Sequence, residues 1–113
     1  MAWYVYVLRC AQDTLYTGST PELKRRIAQH CGRLPGGAKY TRSHPPLALA
    51  ALWALPDAHA AHSMEWHLKR LKRADKLCLI AAPERAQDLL GPCAEAAEPA
   101  DMAPYASLFP DLP

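Results

Sequence analysis

Residues 3–30 read WYVYVLRCAQDTLYTGSTPELKRRIAQH, and this stretch predicts the local structure from which the fold follows. Aromatic and β-branched side chains dominate residues 3–9, which predicts a strand. Residues 10–14 suit a turn, and residues 15–18 suit a second short strand. Thr20, Pro21 and Glu22 then predict a helix start, because each residue type is favoured at the amino end of a helix.

The predicted hairpin indicates which side chains share a face. Alternate side chains of a strand point the same way, so a hairpin centred near Gln12 brings even-numbered residues together. That face carries Tyr4, Tyr6, Leu8, Tyr16 and Gly18. On the following helix, Arg26 and His30 lie four residues apart at the border of the apolar stripe. Phenols, an arginine and a histidine in one cluster can transfer protons and stabilise negative charge on a phosphate.

These residues resemble the signature of the GIY-YIG nuclease superfamily, in which two triplets on adjacent strands precede a helix with an arginine and often a histidine. Here residues 4–6 read YVY and residues 16–18 read YTG, and Arg26 and His30 follow. The similarity continues through GAKYTR at residues 37–42 and Glu65, and it is closest to the small stand-alone bacterial branch. The resemblance implies an α/β fold of the α+β type, with a small three-stranded antiparallel sheet flanked by helices.

The resemblance also implies roles for individual side chains. Tyr6 and Tyr16 match tyrosines of the two triplets, one of which positions or deprotonates the attacking water, and Tyr6 is slightly favoured. Arg26 matches the arginine that holds the scissile phosphate. His30 is expected to orient a tyrosine or to shuttle a proton. Gly18 is expected to let the backbone pass closely between strand and helix.

Glu65 is the predicted metal ligand. Most other acids before residue 91 occupy predicted turns or helix ends, whereas Glu65 lies mid-helix beside an apolar stripe. Spacing alone favours an ion pair with Lys69, four residues later. The resemblance implies instead the single metal-binding glutamate of the superfamily. One carboxylate is enough for Mg²⁺ or Mn²⁺, because such a cation retains water and also binds the phosphate.

Glycines and prolines interrupt residues 31–46, which predicts a loop. Its Lys39, Tyr40 and Arg42 suit phosphate contact and base stacking, although an ordinary polar loop has the same composition. The resemblance, through the GAKYTR stretch, favours substrate binding by these three residues together with Gly18.

The remaining chain reads as one strand, several helices and a tail. Residues 47–55, LALAALWAL, suit a buried strand or a buried helix, and the resemblance favours a central strand. Asp57 predicts a helix start, and further helices are predicted over 74–81 and 84–90. We expect residues 1–82 to form the nuclease domain. We expect residues 83–113 to form a short helix and a Pro/Ala-rich acidic tail, mostly extended or disordered, from which Tyr105, Leu108 and Phe109 can dock.

The charge distribution indicates a polyanionic partner, and the hydropathy indicates a protein that does not span a membrane. All 13 Lys and Arg residues precede residue 91 whereas four of the 11 acids follow it, so residues 1–90 carry +6 and the remainder −4. A basic body suits a polyanion such as DNA. The sequence has neither an apolar stretch of membrane-spanning length nor a basic leader before its apolar start. We therefore expect a cytoplasmic protein without a membrane partner.

The leading hypothesis is a Mg²⁺-dependent endonuclease that hydrolyses phosphodiester bonds in DNA by a one-metal mechanism, with branched, flap and single-stranded forms all open as substrates. The alternative is a nucleic-acid-binding module with weak or no catalysis. A lesser alternative is a transition-metal site on His59, His62 and His67, but no cysteine or acid is spaced to complete it.

Overall fold

A mixed α/β architecture, as predicted, is present in the computed structural model, which describes residues 2–109. The strands are β1 (Trp3–Cys10), β2 (Thr14–Thr20), β3 (Pro46–Leu55) and β4 (Glu98–Pro99). The helices are α1 (Leu23–His30), α2 (Lys39–Ser43), α3 (Ala58–Lys69), α4 (Arg73–Ala81) and α5 (Ala86–Leu90). Short 3₁₀ turns cover Pro83–Arg85, Gly91–Ala94 and Ala103–Leu108. The strands form one antiparallel sheet with the order β2-β1-β3-β4.

The hairpin of β1 and β2 has the predicted register. Tyr6 lies opposite Gly18 and Leu8 opposite Tyr16, so the even-numbered residues do share one face. The turn between the strands contains Gln12 and Asp13 with φ of 63° and 55°. Both residues therefore adopt the left-handed conformation that glycine more often supplies in such turns.

A separate apolar cluster packs on each face of the sheet. On one face, Val5 and Val7 of β1 meet Met64 of α3 and neighbouring residues of the helical layer. On the other face, Tyr6 and Leu8 meet the apolar side of α1. This division follows from the alternation of side chains along β1, which pairs with β2 on one side and with β3 on the other.

The buried side chain of Trp53 fixes β3, which contains the sequence LALAALWAL, in the sheet. Trp53 is fully buried, and its indole Nε1 donates a hydrogen bond to the carbonyl oxygen of Pro83 at 2.9 Å. The same contact holds the chain after α4 against the sheet, and Asp57 caps α3 by accepting a hydrogen bond from the amide of Ala60 at 2.8 Å. Both the central strand and the helix start at Asp57 were predicted.

Two predictions about secondary structure are wrong, and α1 also begins later than predicted, at Leu23 with Glu22 rather than Thr20 as its N-cap. The predicted loop over residues 31–46 contains the short helix α2, because Thr41 and Ser43 close its turns on backbone carbonyls. The sheet has four strands rather than three, because Glu98 and Pro99 pair with Ala54 and Trp53. A pair of residues is too short to show strand periodicity, and proline is not typical of strands.

The chain beyond residue 90 is also more ordered than predicted over its described part. After β4, the amide of Ala100 donates to the carbonyl of Leu52 at 3.0 Å. Phe109 is buried beside Tyr6 and α1, with Tyr105 and Leu108 partly buried around it. The predicted docking of these three apolar residues is present, whereas a mostly extended or disordered tail is not. Residues 110–113 of the predicted tail lie outside the described residues.

Within residues 2–109, no helix combines the length and apolar character that a membrane span requires.

Phe109→Ala should lower the free energy of unfolding by about 2–3 kcal/mol, because it removes a buried ring at a chain end that can partly relax. Urea unfolding followed by circular dichroism measures this change. Ser107→Ala, at an exposed position of the same segment, should leave the midpoint unchanged. A Phe109→Ala midpoint equal to that of the wild type would contradict the docking of the tail.

Candidate active site

The site begins where Tyr6 on β1 crosses β2. The Tyr6 side chain is almost fully buried and lies opposite Gly18, which is also buried. A Cβ atom on residue 18 would overlap the Tyr6 hydroxyl and would lie 2.6 Å from its Cζ atom. Gly18 is therefore required to make room for the phenol, which differs from the close passage of strand and helix expected from the sequence.

Three hydrogen bonds in series link Tyr6 to α2. The Tyr6 hydroxyl lies 2.8 Å from His30 Nε2, and His30 Nδ1 lies 3.0 Å from Thr41 Oγ1. The Thr41 hydroxyl donates to the carbonyl oxygen of Ala38 at 2.9 Å. Because its single proton is used there, Thr41 must accept from His30, which assigns the imidazole proton to Nδ1. Nε2 is then the acceptor, and Tyr6 donates to it.

Burial keeps both members of the Tyr6–His30 pair neutral. It is the main cause that raises the pKa of the Tyr6 phenol, and Tyr16 adds to it, which together outweigh the lowering by Arg26. Burial also lowers the pKa of His30 to about 4, and the charge of Arg26 acts in the same direction. A neutral imidazole at pH 7 can accept a proton at Nε2.

Tyr16 joins this pair to a row of aromatic rings along α2. Its ring centroid lies 5.0 Å from that of His30 and 6.5 Å from that of Tyr6. Tyr16 also stacks on Tyr40 at 5.7 Å, and Tyr40 stacks on His44 at 4.5 Å. The structure thus brings a predicted substrate-binding residue, Tyr40, next to a predicted catalytic one.

Lys39 and Arg42, which are also predicted to bind substrate, are exposed on α2. They lie on either side of Tyr40 and Thr41 in the chain, so α2 carries two cations beside the aromatic row. Exposed cations next to a polar cluster can contact the phosphate backbone of a nucleic acid.

Arg26 lies at the half-exposed rim of the Tyr6 cluster. Its Nη1 donates to Gln29 Oε1 and to the carbonyl oxygen of Gly36, each at 2.9 Å. The chain passes so close to α1 here that a Cβ on Gly37 would overlap the carbonyl oxygen of Gln29. These contacts hold the guanidinium near the phenol.

Glu65 approaches the site from the opposite face of the sheet, on α3. One carboxylate oxygen accepts a hydrogen bond from the Ser19 hydroxyl, and the other pairs with Lys69 Nζ at 2.7 Å. The ion pair predicted from spacing alone is therefore present. After burial and Tyr16, the charge of Glu65 also contributes to the raised pKa of Tyr6. Tyr6 and Glu65 therefore both contact the edge strand β2, at Gly18 and at Ser19.

The donor set around Glu65 fits one kind of metal ion. Residues 2–109 contain no group of three His, Cys, Asp or Glu side chains that could hold a metal, and this includes the three histidines of α3. A single carboxylate beside a hydroxyl suits a hard cation that keeps its waters and shares oxygen ligands with a phosphate. It does not suit a tightly bound transition metal.

Two polar residues of the site were not singled out from the sequence. Thr41 sets the tautomer of His30, and its place within GAKYTR was the available signal. Ser19 binds Glu65, and strand alternation after Gly18 would have turned it toward α3. The sequence could not show that either hydroxyl meets its partner, because both contacts join separate elements.

Stability should fall as the pH drops from about 6.5 to 4. His30 has its ordinary pKa of 6.5 in the unfolded chain and a pKa of about 4 when folded. Within that window the unfolded chain binds the extra proton, so acid favours unfolding, by on the order of 1–3 kcal/mol from this residue. Urea unfolding at several pH values measures the slope.

His30→Gln should flatten this pH dependence, whatever its effect on stability at pH 7. His59→Gln removes an exposed histidine of α3 and should keep the wild-type slope. Equal slopes in all three proteins would show that His30 does not titrate as its burial requires.

The chain is similar to a known protein family and to several known proteins. A model of the GIY-YIG catalytic domain matches residues 2–77. The UPF0213 protein DP2720 of Desulfotalea psychrophila is 39% identical over 84 residues, which cover 74% of this chain and 76% of that protein. The UPF0213 protein BH0048 of Halalkalibacterium halodurans is 41% identical over 81 residues, which cover 72% and 84% of the two chains.

A solved structure is also similar in sequence. The solution NMR structure of the UPF0213 protein BH0048 from Bacillus halodurans is 38% identical, with a TM-score of 0.47. The match covers 77% of this chain and 94% of that chain.

The family match spans more than half of the chain and includes both triplets, Arg26, His30 and Glu65. The relatives are matched over most of their own length. The resemblance seen in the sequence is therefore confirmed. This chain belongs to the GIY-YIG catalytic domain family, a family of nucleases, and its relatives are UPF0213 proteins.

Proposed function

We propose that this protein is a nuclease that hydrolyses phosphodiester bonds in DNA, assisted by a single divalent metal ion, Mg²⁺ or Mn²⁺. The observation that carries the proposal is the buried hydrogen-bond series from Tyr6 through His30 to Thr41. A phenol with a proton acceptor already in place is equipped to activate water. The charge of +6 on residues 1–90 supports a polyanionic substrate.

Tyr6 acts as the base by passing its proton on. As the oxygen of the attacking water bonds to phosphorus, the water proton moves to the Tyr6 oxygen and the phenol proton moves to His30 Nε2. The raised pKa of Tyr6 disfavours a free phenolate at neutral pH, so transfer along the existing hydrogen bond is the available route. The hydrogen bond to His30 Nε2 favours Tyr6 over Tyr16 as the base, because the Tyr16 ring packs edge-on against His30.

Arg26 holds the reacting phosphate. A guanidinium carries five N–H donors, and the two side-chain hydrogen bonds of Arg26 to Gln29 and Gly36 both use Nη1. The remaining donors can bind phosphate oxygens while those bonds persist. The fixed charge then stabilises the extra negative charge that develops as the bond from phosphorus to the leaving oxygen breaks.

Glu65 is the residue that would hold the metal ion. When bound, such an ion neutralises charge on the phosphate and assists departure of the leaving oxygen. Ser19 orients the carboxylate through its hydroxyl. Lys69 must share or release the second carboxylate oxygen, which it contacts at 2.7 Å.

Residues of α2 are proposed to bind the DNA beside the reacting group. Lys39 and Arg42 supply exposed cations for flanking phosphates, and Tyr40 supplies an aromatic face next to Tyr16. Gly18, also expected to bind substrate, contributes by making room for Tyr6.

A nucleic-acid-binding module without turnover is the second candidate. The specific observation in its favour is the Glu65–Lys69 ion pair, which supplies a cation to the only carboxylate expected to hold a metal. In that case DNA binding would show a steep salt dependence with no metal-dependent cleavage.

Glu65→Gln should lower the cleavage rate by at least about 100-fold, the effect typical of removing a group that stabilises transition-state charge. The assay uses labelled single-stranded, duplex, flap and branched DNA, each with Mg²⁺ and with EDTA. The amide keeps an oxygen that Ser19 can bind, so the fold should be retained.

Glu84→Gln, at an exposed position of a 3₁₀ turn, is the matched control and should cleave like the wild type. Metal-dependent cleavage that Glu65→Gln leaves unchanged would exclude Glu65 as the metal ligand. DNA binding without cleavage by the wild type on every substrate would favour the binding module.

Tyr6→Phe should lower the cleavage rate by about 10²–10⁴-fold, because it removes the group proposed to take the proton of water. Tyr16→Phe, measured in the same assay, should lose less activity. The reverse order would make Tyr16 the base. If each variant unfolds at the same urea midpoint as the wild type, its loss of cleavage does not come from misfolding.

A further inference from the structure

Trp66 is exposed at the position directly after Glu65. Over half of its surface (52%) is accessible, whereas Trp53 is fully buried and Trp3 is half-buried. Within residues 2–109, the other large exposed apolar side chains are Leu34 and Leu77. An indole is the largest apolar surface that a side chain can present, so its exposure beside a candidate catalytic carboxylate requires an explanation.

Arg70 covers the Trp66 ring with a planar cation. Its guanidinium carbon lies 3.3 Å from the indole centroid, and its Nη1 donates to the Trp66 carbonyl oxygen at 3.1 Å. The ring of His67 meets the indole edge-on, with centroids 5.0 Å apart. An aromatic face and a guanidinium plane held together form the kind of surface on which nucleobases stack.

The charge around the ring suits a nucleic-acid backbone. Residues 65–73 contain four cations, all exposed, and one acid, Glu65. Lys69 pairs with Glu65 and Arg73 pairs with Asp13, the latter at 3.1 Å. Lys69 lies four residues from Glu65 and three from Trp66, so it adjoins both on the helix surface. A strand bound at Trp66 thus passes a cation on its way to the carboxylate.

We propose that Trp66 and Arg70 form a stacking platform for an unpaired base of the DNA strand next to the cleaved phosphate. The placement beside the cleaved phosphate rests on the function proposed above, and the platform itself rests on the exposed ring pair. In a duplex the faces of each base are covered by its neighbours, so an unpaired base gains most from the indole. The preferred substrate therefore contains a single-stranded segment.

Binding of a fluorescein-labelled single-stranded oligonucleotide, followed by anisotropy in EDTA, tests this proposal without any cleavage. Trp66→Ala should weaken that binding by about 10-fold or more, the loss expected for one stacked base. Binding of a blunt duplex of the same sequence should change less than about two-fold, since backbone charge dominates there. Trp66→Phe, which retains an aromatic face, should recover most of the affinity for the single strand.

Leu77→Ala is the matched control, because it removes another exposed apolar side chain (44%) from a neighbouring helix. It should bind both DNAs like the wild type. Equal affinity of wild type and Trp66→Ala for the single strand would overturn the platform and leave the ring pair as surface packing. Equal losses on single strand and duplex would also overturn it.

The two proposals fail separately. Loss of single-strand affinity in Trp66→Ala supports the platform even where the wild type cleaves nothing with Mg²⁺. Cleavage that depends on Glu65 supports the nuclease even where Trp66→Ala binds normally, and that combination excludes the platform.

Discussion

The buried hydrogen bond between Tyr6 and His30 is the constraint on which the site depends. It joins β1 to the last residue of α1, and it requires Gly18 because any larger residue would occupy the space of the phenol. His30 in turn needs Thr41, whose hydroxyl sets the protonated nitrogen of the ring. Two hydrogen bonds in series therefore couple β1, α1 and α2, which are separate in the sequence.

Burial gives that contact its chemical character. Two polar side chains removed from water must satisfy each other, and their pKa values move away from neutrality in opposite directions. The pair is consequently neutral at rest, with the proton on the phenol. In the mechanism proposed above, the proton then moves along this bond rather than to solvent.

Because β2 lies at the edge of the sheet, helices on both faces of the sheet can supply residues to the candidate active site. Tyr6, His30 and Arg26 belong to the side covered by α1, whereas Glu65 belongs to α3 on the other side. Ser19 on β2 bridges to Glu65, so the edge strand is the common border. The segment that ends in Phe109 packs beneath the α1 side, so the acidic end of the chain contributes to the support of a basic domain.

The sequence by itself determined the hairpin register, the face shared by Tyr6 and Tyr16, the start of α3 and the family. These features are encoded by periodicity and by short motifs, which act over neighbouring residues. Only the tertiary structure decided the partners of those residues. Contacts between separate elements decide four features of the structure. These are the hydrogen bond of Thr41 to His30, the hydrogen bond of Ser19 to Glu65, the formation of α2 and the pairing of β4 with β3. No local pattern specifies such contacts, because the two partners of each contact lie far apart in the sequence.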